Sequence, residues 1–288
     1  MPTVAVVTDT THYLPKGMLE GLGVLEVSLY VNFGGRQERE ADMPDFEGFY
    51  DELRSSAELP TTSQPSIGDF LAVYEPLVAA GHEIVSIHLS GGISGTVESA
   101  RQAAAEIAQR GGLVAVVDSG TTAGGMAAVV LAAAAATRGG GGIDAVVARA
   151  EAASEATKIW FAVDTLEYLR RGGRIGTAQA WLGGALKIKP ILTVDGEVTP
   201  IERVRTSSRA FERLIDHLRA RQADGATAWM VQHIQAPDEA RRIVDRGREM
   251  FGTEPLFVSQ IGPVIGTHAG PGLLGVGGIA PALLDERV

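Results

Sequence analysis

The sequence of 288 residues contains no cysteine. Disulfide bonds, thiolate nucleophiles and thiolate metal ligands are therefore excluded. Other metal chemistry has little support as well, because the six histidines are scattered and show none of the paired spacings typical of zinc ligands. We therefore expect neither a metal nor any other cofactor.

Long hydrophobic runs and an excess of basic charge are also missing. The alanine-rich stretch from Ala127 to Ala136 is shorter than the roughly 20 residues that span a bilayer. A formal net charge of −10 argues against general binding of nucleic acid or anionic membranes. We expect no integral membrane contact, and transient contact with a membrane surface stays open. Because the N-terminus lacks a basic segment followed by a long apolar one, a cytoplasmic location is expected.

The first part of the chain alternates apolar, β-type runs with helical patterns. This alternation predicts a parallel sheet with helices on both faces. One helix is marked by a capping box, with Ser66 as N-cap and Asp69 three residues later. The predicted strands cover 4–8, 24–31, 84–88 and 113–118, and the predicted helices cover 44–55, 67–80, 96–109, 122–137 and 143–154.

Beyond about residue 158 the pattern changes. Asp195-Gly196 between two β-type runs predicts a tight hairpin and hence antiparallel pairing. We therefore predict an α/β fold with two closely packed domains: an α/β/α domain at 1–157 and a mixed α/β domain at 158–288. The predicted strands cover 160–163, 191–194, 198–204, 228–232 and 256–260, and the predicted helices cover 166–170, 178–185, 208–222 and 237–251.

A glycine-rich turn follows the predicted strand Ile84 to His88 and opens directly into a helix at Thr96. Strand, glycine turn and helix together direct backbone N–H groups toward an anion. Ser94 and Thr96 can add hydroxyl donors, so the turn is typical of a carboxylate or phosphate site. The alternative is a plain helix cap, because serine and threonine are preferred there.

Three further segments have unusual composition, and each keeps an ordinary structural alternative. The loop Pro60 to Ser66 contains more hydroxyl groups than a helix cap needs. The segment Leu169 to Ile175 places three arginines around a diglycine, which suits an oxyanion, an acidic partner or a solvated helix end. The segment Ile261 to Gly272 holds Thr267 and His268 in a Gly/Pro-rich stretch that predicts an irregular loop with a functional histidine.

These segments, taken in order, resemble the DegV family of bacterial fatty-acid-binding proteins. The resemblance spans almost the whole chain. One departure is Gly91, where the family more often has a second serine. The matching motifs are Thr8-Asp9-Thr10, Thr62-Ser63-Gln64-Pro65-Ser66, Leu89-Ser90-Gly91-Gly92-Ile93-Ser94-Gly95-Thr96, Asp164-Thr165-Leu166-Glu167-Tyr168-Leu169-Arg170-Arg171-Gly172-Gly173-Arg174-Ile175, Leu186-Lys187-Ile188-Lys189-Pro190-Ile191-Leu192 and Gly262-Pro263-Val264-Ile265-Gly266-Thr267-His268.

The resemblance implies a carrier that holds a long-chain fatty acid, such as palmitate, at the junction of two α/β domains. It implies that Thr62 and Ser94 bind the carboxylate and that His268 lies nearby. It also implies a separate ATP-dependent fatty acid kinase as partner, which forms acyl phosphate for phospholipid synthesis. We expect a monomer. Supporting positions are Ser63, Gly95, Thr96 and Thr267, and the candidates to face the partner are Arg170, Arg171 and Arg174.

The main alternative is a serine esterase or hydrolase that uses Ser94 as nucleophile and His268 as base. Against it, Gly92-Ile93-Ser94-Gly95-Thr96 departs at its last position from the Gly-x-Ser-x-Gly pattern. An autonomous kinase lacks a phosphate-binding Gly-x-x-x-x-Gly-Lys-Ser/Thr loop. A ligand-responsive regulator stays open, although the sequence shows no DNA-reading helix or basic stripe.

Overall fold

A computed structural model describes residues 3–43, 45–56, 58–182 and 188–286. The strands in these residues are β1 (Val4–Asp9), β2 (Leu25–Val27), β3 (Tyr30–Phe33), β4 (Arg36–Arg39), β5 (Thr61–Ser63), β6 (Glu83–His88), β7 (Val114–Asp118), β8 (Lys158–Ala162), β9 (Lys189–Asp195), β10 (Glu197–Val204), β11 (Ala228–His233), β12 (Val258–Gln260) and β13 (Leu274–Ile279). The α-helices are α1 (Lys16–Leu22), α2 (Glu47–Ser55), α3 (Ile67–Ala79), α4 (Thr96–Gln109), α5 (Ala123–Arg138), α6 (Ile143–Ala156), α7 (Glu167–Arg171), α8 (Ser207–Ala223), α9 (Pro237–Phe251) and α10 (Pro263–Ala269).

The first part of the chain forms the predicted parallel sheet. Its strand order is β2-β1-β6-β7, and each neighbouring pair is parallel. Because side chains alternate between the two faces of a strand, Val7 and Ile84 pack with α3 and α4, whereas Val6 and Val85 pack with α5. The α/β/α prediction is confirmed. The capping box is present too, since Ser66 Oγ accepts the Asp69 amide and Asp69 accepts the Ser66 amide.

The second part forms the predicted mixed sheet, with strand order β10-β9-β8-β13-β11-β12. The β11–β12 pair is parallel and the other pairs are antiparallel. Asp195-Gly196 makes the expected turn between β9 and β10, with Gly196 at φ +73°. Helices α8 and α9 cover one face, where Trp229 and Leu214 are fully buried.

Helix α5 lies between the two sheets and explains the alanine-rich stretch. It contacts β1 and β6 of the parallel sheet and β8, β11 and β13 of the mixed sheet. All of residues 123–136 are buried except Leu131. A helix that is apolar on every side is stable only when it is buried on every side. The two halves therefore share one core cluster, which contains Val6, Met230 and Ile279. The predicted boundary at residue 157 falls between α6 and β8.

A small third sheet, β4-β3-β5, was not predicted. The apolar run 24–31 is not one strand, because the chain leaves the parallel sheet after Val27 and then pairs with β4 and β5. Ser28 fixes the break, since its Oγ accepts the Ala41 amide at 3.0 Å. The hydroxyl-rich segment at Pro60 to Ser66 is likewise not a loop throughout, because Thr61–Ser63 forms β5, with Thr62 opposite Val31.

Four further expectations need correction. The predicted irregular loop at Ile261 to Gly272 contains α10, whose first residue, Pro263, occupies a position where proline fits a helix. Strand β13 was missed because its three glycines weaken the β signal. The predicted helix 178–185 is a 3₁₀-helix at Gly176–Trp181, and positions 183–187 lie outside the described residues. Helix α2 begins at Glu47 rather than at 44, a position that also lies outside them.

Candidate functional site

A cavity of about 290 Å³ lies between the two sheets, beside the N-terminus of α5. This volume is close to the lower end of the range for small-molecule sites, about 300 Å³. Most of its wall is apolar, and both halves of the chain contribute to it. The apolar lining includes Leu29, Leu89, Ile93, Ala123, Ile159, Phe161, Leu169, Val194, Val198, Met230, Ile261, Val264, Ile265, Leu273 and Val276.

Three segments that are far apart in the sequence bring polar side chains to this cavity. Thr62 comes from β5, Ser94 from the turn before α4, and His268 from α10. Thr62 Oγ1 lies 2.8 Å from Nε2 of His268. Ser63 also lines the cavity. Thr267, the neighbour of His268, is buried, and its hydroxyl has no partner among the described residues.

His268 is held in a tight, positively polarised setting. A Cβ on Gly172 would lie only 2.2 Å from Nδ1 of His268, so the imidazole packs directly against the glycine backbone. That Nδ1 is buried without a hydrogen-bond partner among the described residues. Burial, and secondly the charge of Arg174, lower the pKa of His268 to about 4. The imidazole is therefore neutral at physiological pH, in a positive potential that favours a bound anion.

The turn before α4 is folded around Ser94. The Ser94 Oγ lies 2.8 Å from Oγ1 of Thr96 and accepts the Thr96 amide at 3.3 Å. Thr96 is fully buried and does not line the cavity, so its side chain supports Ser94. Gly95 is the N-cap of α4 and packs against the amide of Gln64, whose Nε2 in turn donates to Ser99 Oγ at 2.8 Å.

A buried polar network lies behind this turn. His88 joins Asp9 to Ser86, with 3.1 Å from Nδ1 to Asp9 Oδ2 and 2.7 Å from Nε2 to Ser86 Oγ. The Tyr74 hydroxyl donates to Ser86 at 2.7 Å, and the Leu89 amide donates to Asp9 at 2.9 Å. Because Leu89 begins the Ser94 turn, the network fixes the turn to the ends of β1 and β6. None of its four polar side chains is exposed.

Asp9 is ionised within this network. Burial alone would raise its pKa, but the hydrogen bond and charge of His88, together with bonds from Thr11 and the Leu89 amide, outweigh burial and lower the pKa. The arrangement Ser86, His88 and Asp9 has the order of a catalytic triad. Since no part of it reaches solvent or the cavity, its role is structural.

A second buried carboxyl group holds α10, the helix that carries His268. Glu40 Oε1 accepts the Val264 amide at 2.8 Å and the Tyr13 hydroxyl at 2.9 Å. The Tyr50 hydroxyl donates to the carbonyl of Ile261 at 2.8 Å. Glu40 is only 3 % exposed, and its Oε2 has no partner among the described residues. Burial therefore raises the pKa of Glu40 to about 7 despite these hydrogen bonds.

The three arginines after β8 are exposed but have different partners. Arg170 forms a salt bridge with Glu167 at 2.7 Å, and Arg171 lies 4.0 Å from the same carboxylate. Arg174 has no carboxylate within 4 Å among the described residues. Its guanidinium donates instead to the carbonyls of Ile93 and Gly172, at 3.3 and 2.9 Å. Arg174 also lines the cavity, unlike the other two.

The geometry does not favour the hydrolase alternative. Ser94 makes its side-chain contacts with Thr96, and His268 makes its contact with Thr62, so no described hydrogen bond joins the expected nucleophile to its base. Among the residues that the structure describes, no carboxylate orients the free nitrogen of His268. Within the described ranges, no group of three or more acidic or histidine side chains is arranged to hold a metal ion, and no helix is long and apolar enough to cross a membrane.

Several residues important to this geometry were not predicted. Gln64 lies inside the motif from Thr62 to Ser66. Its carboxamide, next to the hydroxyl groups of Thr62 and Ser63, could have marked it as a candidate. Gly172 also lies in a quoted motif, but its contact with His268 depends on the fold. Asp9 lies in the Thr8-Asp9-Thr10 motif, but its bond to His88 reaches across 79 residues. Glu40 carries no local signal, because the Val264 amide that it binds is 224 residues away.

Comparison with known proteins agrees with the fold. A family model described as "Uncharacterised protein, DegV family" matches residues 3–280. A DegV domain-containing protein of Streptomyces coelicolor is 42% identical over 277 residues, which cover 95% of this chain and 97% of that protein.

Two solved structures are similar throughout. A fatty-acid-binding DegV family protein from Thermus thermophilus is 35% identical, with a TM-score of 0.86 over 96% of this chain and 99% of that one. DegV, a fatty acid binding protein from Bacillus subtilis, is also 35% identical, with a TM-score of 0.87 and the same coverage. The predicted α/β architecture and the predicted family are both confirmed.

Proposed function

The chain belongs to the DegV family, and we propose that it binds a long-chain fatty acid in the cavity between its sheets. The observation that carries this proposal is that the mainly apolar wall of that cavity carries a cluster of polar side chains around Thr62, Ser94, Arg174 and His268, while Gln64, Thr122 and Gln232 add further polar groups to the lining. A fatty acid likewise has one anionic end on a long apolar chain. Two relatives at 35% identity are fatty acid binding proteins.

Burial of the tail accounts for most of the proposed affinity. Each methylene group removed from water contributes about 0.8 kcal/mol, so a chain of about sixteen carbons, such as palmitate, gains on the order of 10 kcal/mol. A few hydrogen bonds at the carboxylate contribute about 1 to 3 kcal/mol each at most. The polar side chains therefore set the orientation of the acid more than its affinity.

Thr62 and Ser94 are the proposed direct ligands of the carboxylate, with His268 behind Thr62. With the imidazole proton on Nε2, His268 donates to Thr62 Oγ1, and the Thr62 hydroxyl proton is free to donate to the ligand. Such a chain of hydrogen bonds strengthens its last member. Arg174 supplies positive charge at the same end of the cavity. These groups replace the water that an ionised carboxylate loses on burial.

We further propose that the protein presents this carboxylate to an ATP-dependent kinase. In that step a carboxylate oxygen forms a bond to the γ-phosphorus of ATP. The bond from the γ-phosphorus to the bridging oxygen of ADP breaks, and ADP leaves with the electron pair. In this step the carboxylate of the bound acid is the nucleophile, the carrier contributes its orientation and the kinase contributes ATP.

Arg170 and Arg171 are the proposed contacts of the kinase. Both are exposed on α7, next to the segment that carries Arg174 to the cavity. On a chain of net charge −10, exposed arginines near the site would attract an acidic partner surface or a phosphate group.

The proposal is tested by the lipid content of the purified protein and by acyl-phosphate formation with an added fatty acid kinase. We expect organic extracts to contain fatty acid. Ser94→Ala should reduce acyl-phosphate formation at least tenfold while lowering fatty-acid retention less than threefold, because the tail dominates binding. Ser208→Ala, an exposed serine on α8, is the matched control and should change neither. Protein that neither contains nor takes up fatty acid would overturn the proposal.

The partner contacts are tested separately. Arg170→Ala and Arg171→Ala should leave lipid content unchanged and slow acyl-phosphate formation, with an effect that shrinks as salt rises. Arg241→Ala is the matched control, since Arg241 forms an equivalent exposed pair with Asp238 on α9. Turnover at the wild-type level in both α7 variants would reject this part of the proposal.

A further inference from the structure

Gln232, on β11, brings a carboxamide into the wall of the cavity from the mixed sheet. Its side chain is held from behind, because Nε2 donates to the His12 carbonyl at 3.2 Å and to Ser259 Oγ at 3.0 Å, and neither of these residues lines the cavity. Gln232 is only 3 % exposed, and its Oε1 has no hydrogen-bond partner among the described residues. Gln232 therefore offers the cavity a buried acceptor of fixed orientation.

The N-terminus of α5 lies beside this acceptor. A Cβ on Gly124 would be 3.1 Å from Gln232 Oε1, and both Ala123 and Gly124 line the cavity. They are the first two residues of a 16-residue helix, and their amides have no acceptor in the part of the chain that the structure describes. The first amides of a helix need a partner from outside it. An unpartnered acceptor and unpartnered donors therefore occupy the same part of the wall.

These groups favour an uncharged ligand group that both donates and accepts hydrogen bonds. A carboxylate would be opposed by Gln232 Oε1. It would also be opposed by Thr122, which lines the cavity and directs its hydroxyl proton to Thr11 Oγ1 at 3.4 Å, while Thr11 donates to ionised Asp9 at 2.6 Å. A ketone could only accept. An alcohol matches both sides, because its proton can go to Oε1 while its oxygen accepts from an amide of α5.

We propose that the cavity takes a long-chain fatty acid with a hydroxyl group on its chain, and that Gln232 and the start of α5 bind this hydroxyl. The inference rests on the proposed function, which places the carboxylate at Ser94 and the tail along the apolar wall. An unsubstituted chain lying against Gln232 would remove Oε1 from water and give it no partner. A site built to bind a substrate hydroxyl discriminates against the analogue that lacks it, because its polar groups are then left unpaired.

The test compares dissociation constants of the full-length protein for stearate, for the 5-, 7-, 10- and 12-hydroxystearates and for the oxostearates with a ketone at the same carbons. The isomer whose hydroxyl reaches Gln232 should bind at least about fivefold more tightly than its oxostearate. Gln232→Leu should weaken binding of that isomer at least about fivefold and tighten binding of stearate about twofold, because it removes the unpartnered acceptor. Changes in opposite directions cannot result from misfolding.

A second variant keeps the bonds of Gln232. Gly124→Ala puts a methyl group 3.1 Å from Oε1 and should weaken binding of the same isomer at least about threefold more than binding of stearate. If Gln232→Leu fails to fold, Gly124→Ala decides the question. Gln222→Leu is the matched control and should change no affinity, since this half-buried glutamine on α8 also donates to a backbone carbonyl, that of Met250 at 2.7 Å, and does not line the cavity.

The outcomes separate this inference from the proposed function. Stearate binding without preference for any hydroxystearate over its oxostearate would overturn the inference and leave the proposed function intact. A preference that survives both Gln232→Leu and Gly124→Ala would overturn it as well. If no acid binds the wild-type protein, the proposed function fails and the inference fails with it.

Discussion

The two walls of the polar end of the cavity are held in place by different chemistry. The wall that carries Ser94 is fixed by Asp9 and His88, where every buried polar side chain of the network has a hydrogen-bond partner. The wall that carries His268 is fixed by Glu40, one of whose buried oxygens has no partner among the described residues.

The difference shows in the protonation of the two carboxyl groups. The pKa of Asp9 is lowered, because charge and hydrogen bonds outweigh its burial, whereas burial raises the pKa of Glu40 to about 7. A buried polar network in which every group has a hydrogen-bond partner makes its surroundings rigid. A network that contains an unpartnered carboxyl oxygen destabilises its surroundings when that carboxyl group ionises. The Ser94 wall should therefore hold its position across physiological pH, while the α10 wall should loosen as pH rises.

The largest expected effect comes from breaking the satisfied network. Asp9→Asn removes the negative charge beside His88. It also replaces a carboxylate oxygen, the partner of both His88 Nδ1 and the Leu89 amide, with part of an uncharged amide group. Each buried group that loses its hydrogen-bond partner costs about 1 to 3 kcal/mol of unfolding free energy, and the substitution removes the acceptor of both the His88 and the Leu89 bond. Guanidinium unfolding measures this loss, with the exposed Asp144→Asn on α6 as control. A cost below about 1 kcal/mol would show that Asp9 does not anchor this wall.

The next effect tests the α10 wall through pH. Between pH 4.5 and about 7, native Glu40 keeps its proton while the unfolded chain has lost it. Because the native state binds more protons in this window, its unfolding free energy falls as pH rises, by about 3 kcal/mol in total from this one group. Glu40→Gln should remove that slope.

Urea unfolding of wild type and Glu40→Gln at pH 5 and pH 8 measures the difference. The variant should gain stability relative to wild type as pH rises. Glu47→Gln, an exposed substitution on α2, should leave the wild-type slope unchanged. Parallel pH profiles for wild type and Glu40→Gln would mean that Glu40 ionises without cost, and the comparison between the walls would lose its basis.

A third, smaller effect concerns Gly172. The added methyl group of Gly172→Ala would overlap His268 Nδ1, so the imidazole must move away from Thr62. Overpacking of this kind costs about 1 to 3 kcal/mol. In a His268→Ala background the clash with the imidazole disappears and only the 3.1 Å contact with the Tyr168 carbonyl oxygen is left, so the same substitution should cost clearly less than in the wild-type protein.

This double-mutant cycle has a direct control. Gly48→Ala on α2 adds a methyl group into open space and should be neutral or stabilising in both backgrounds. Fatty-acid affinity should fall in Gly172→Ala and not in Gly48→Ala. Additive costs of Gly172→Ala and His268→Ala would mean that the histidine is not positioned by this glycine.

Much of the fold follows from local patterns in the sequence. Helices α4 and α9 have their predicted bounds, because their apolar spacing and first residues are local signals. The location of α10 did not follow, since a seven-residue helix rich in Gly and Pro has little local signal and depends on Glu40, 224 residues from the Val264 amide it binds.

The candidate site was predicted in a similar way. Composition drew attention to the three segments, the family resemblance singled out Thr62, Ser94 and His268 within them, and the structure brings all three to one cavity. The pairing of Arg170 and Arg171 with Glu167, in contrast to Arg174, could not be read from three arginines in one segment. It depends on Arg170 and Arg171 lying within one turn of Glu167 on α7, whereas Arg174 follows the end of that helix.

The smallest expected effect sharpens the comparison with two matched substitutions. Tyr74→Phe removes a hydroxyl group from the Ser94 wall, and Tyr50→Phe removes one from the α10 wall; both tyrosines are fully buried. Each should cost about 1 kcal/mol of unfolding free energy, the net value of one hydrogen bond. Tyr74→Phe should leave fatty-acid affinity unchanged, because Asp9 still holds the turn. Tyr50→Phe should lower it about threefold, because the start of α10 then loses its bond from Tyr50 to the Ile261 carbonyl. Equal affinities in the two variants would show that both walls are equally rigid.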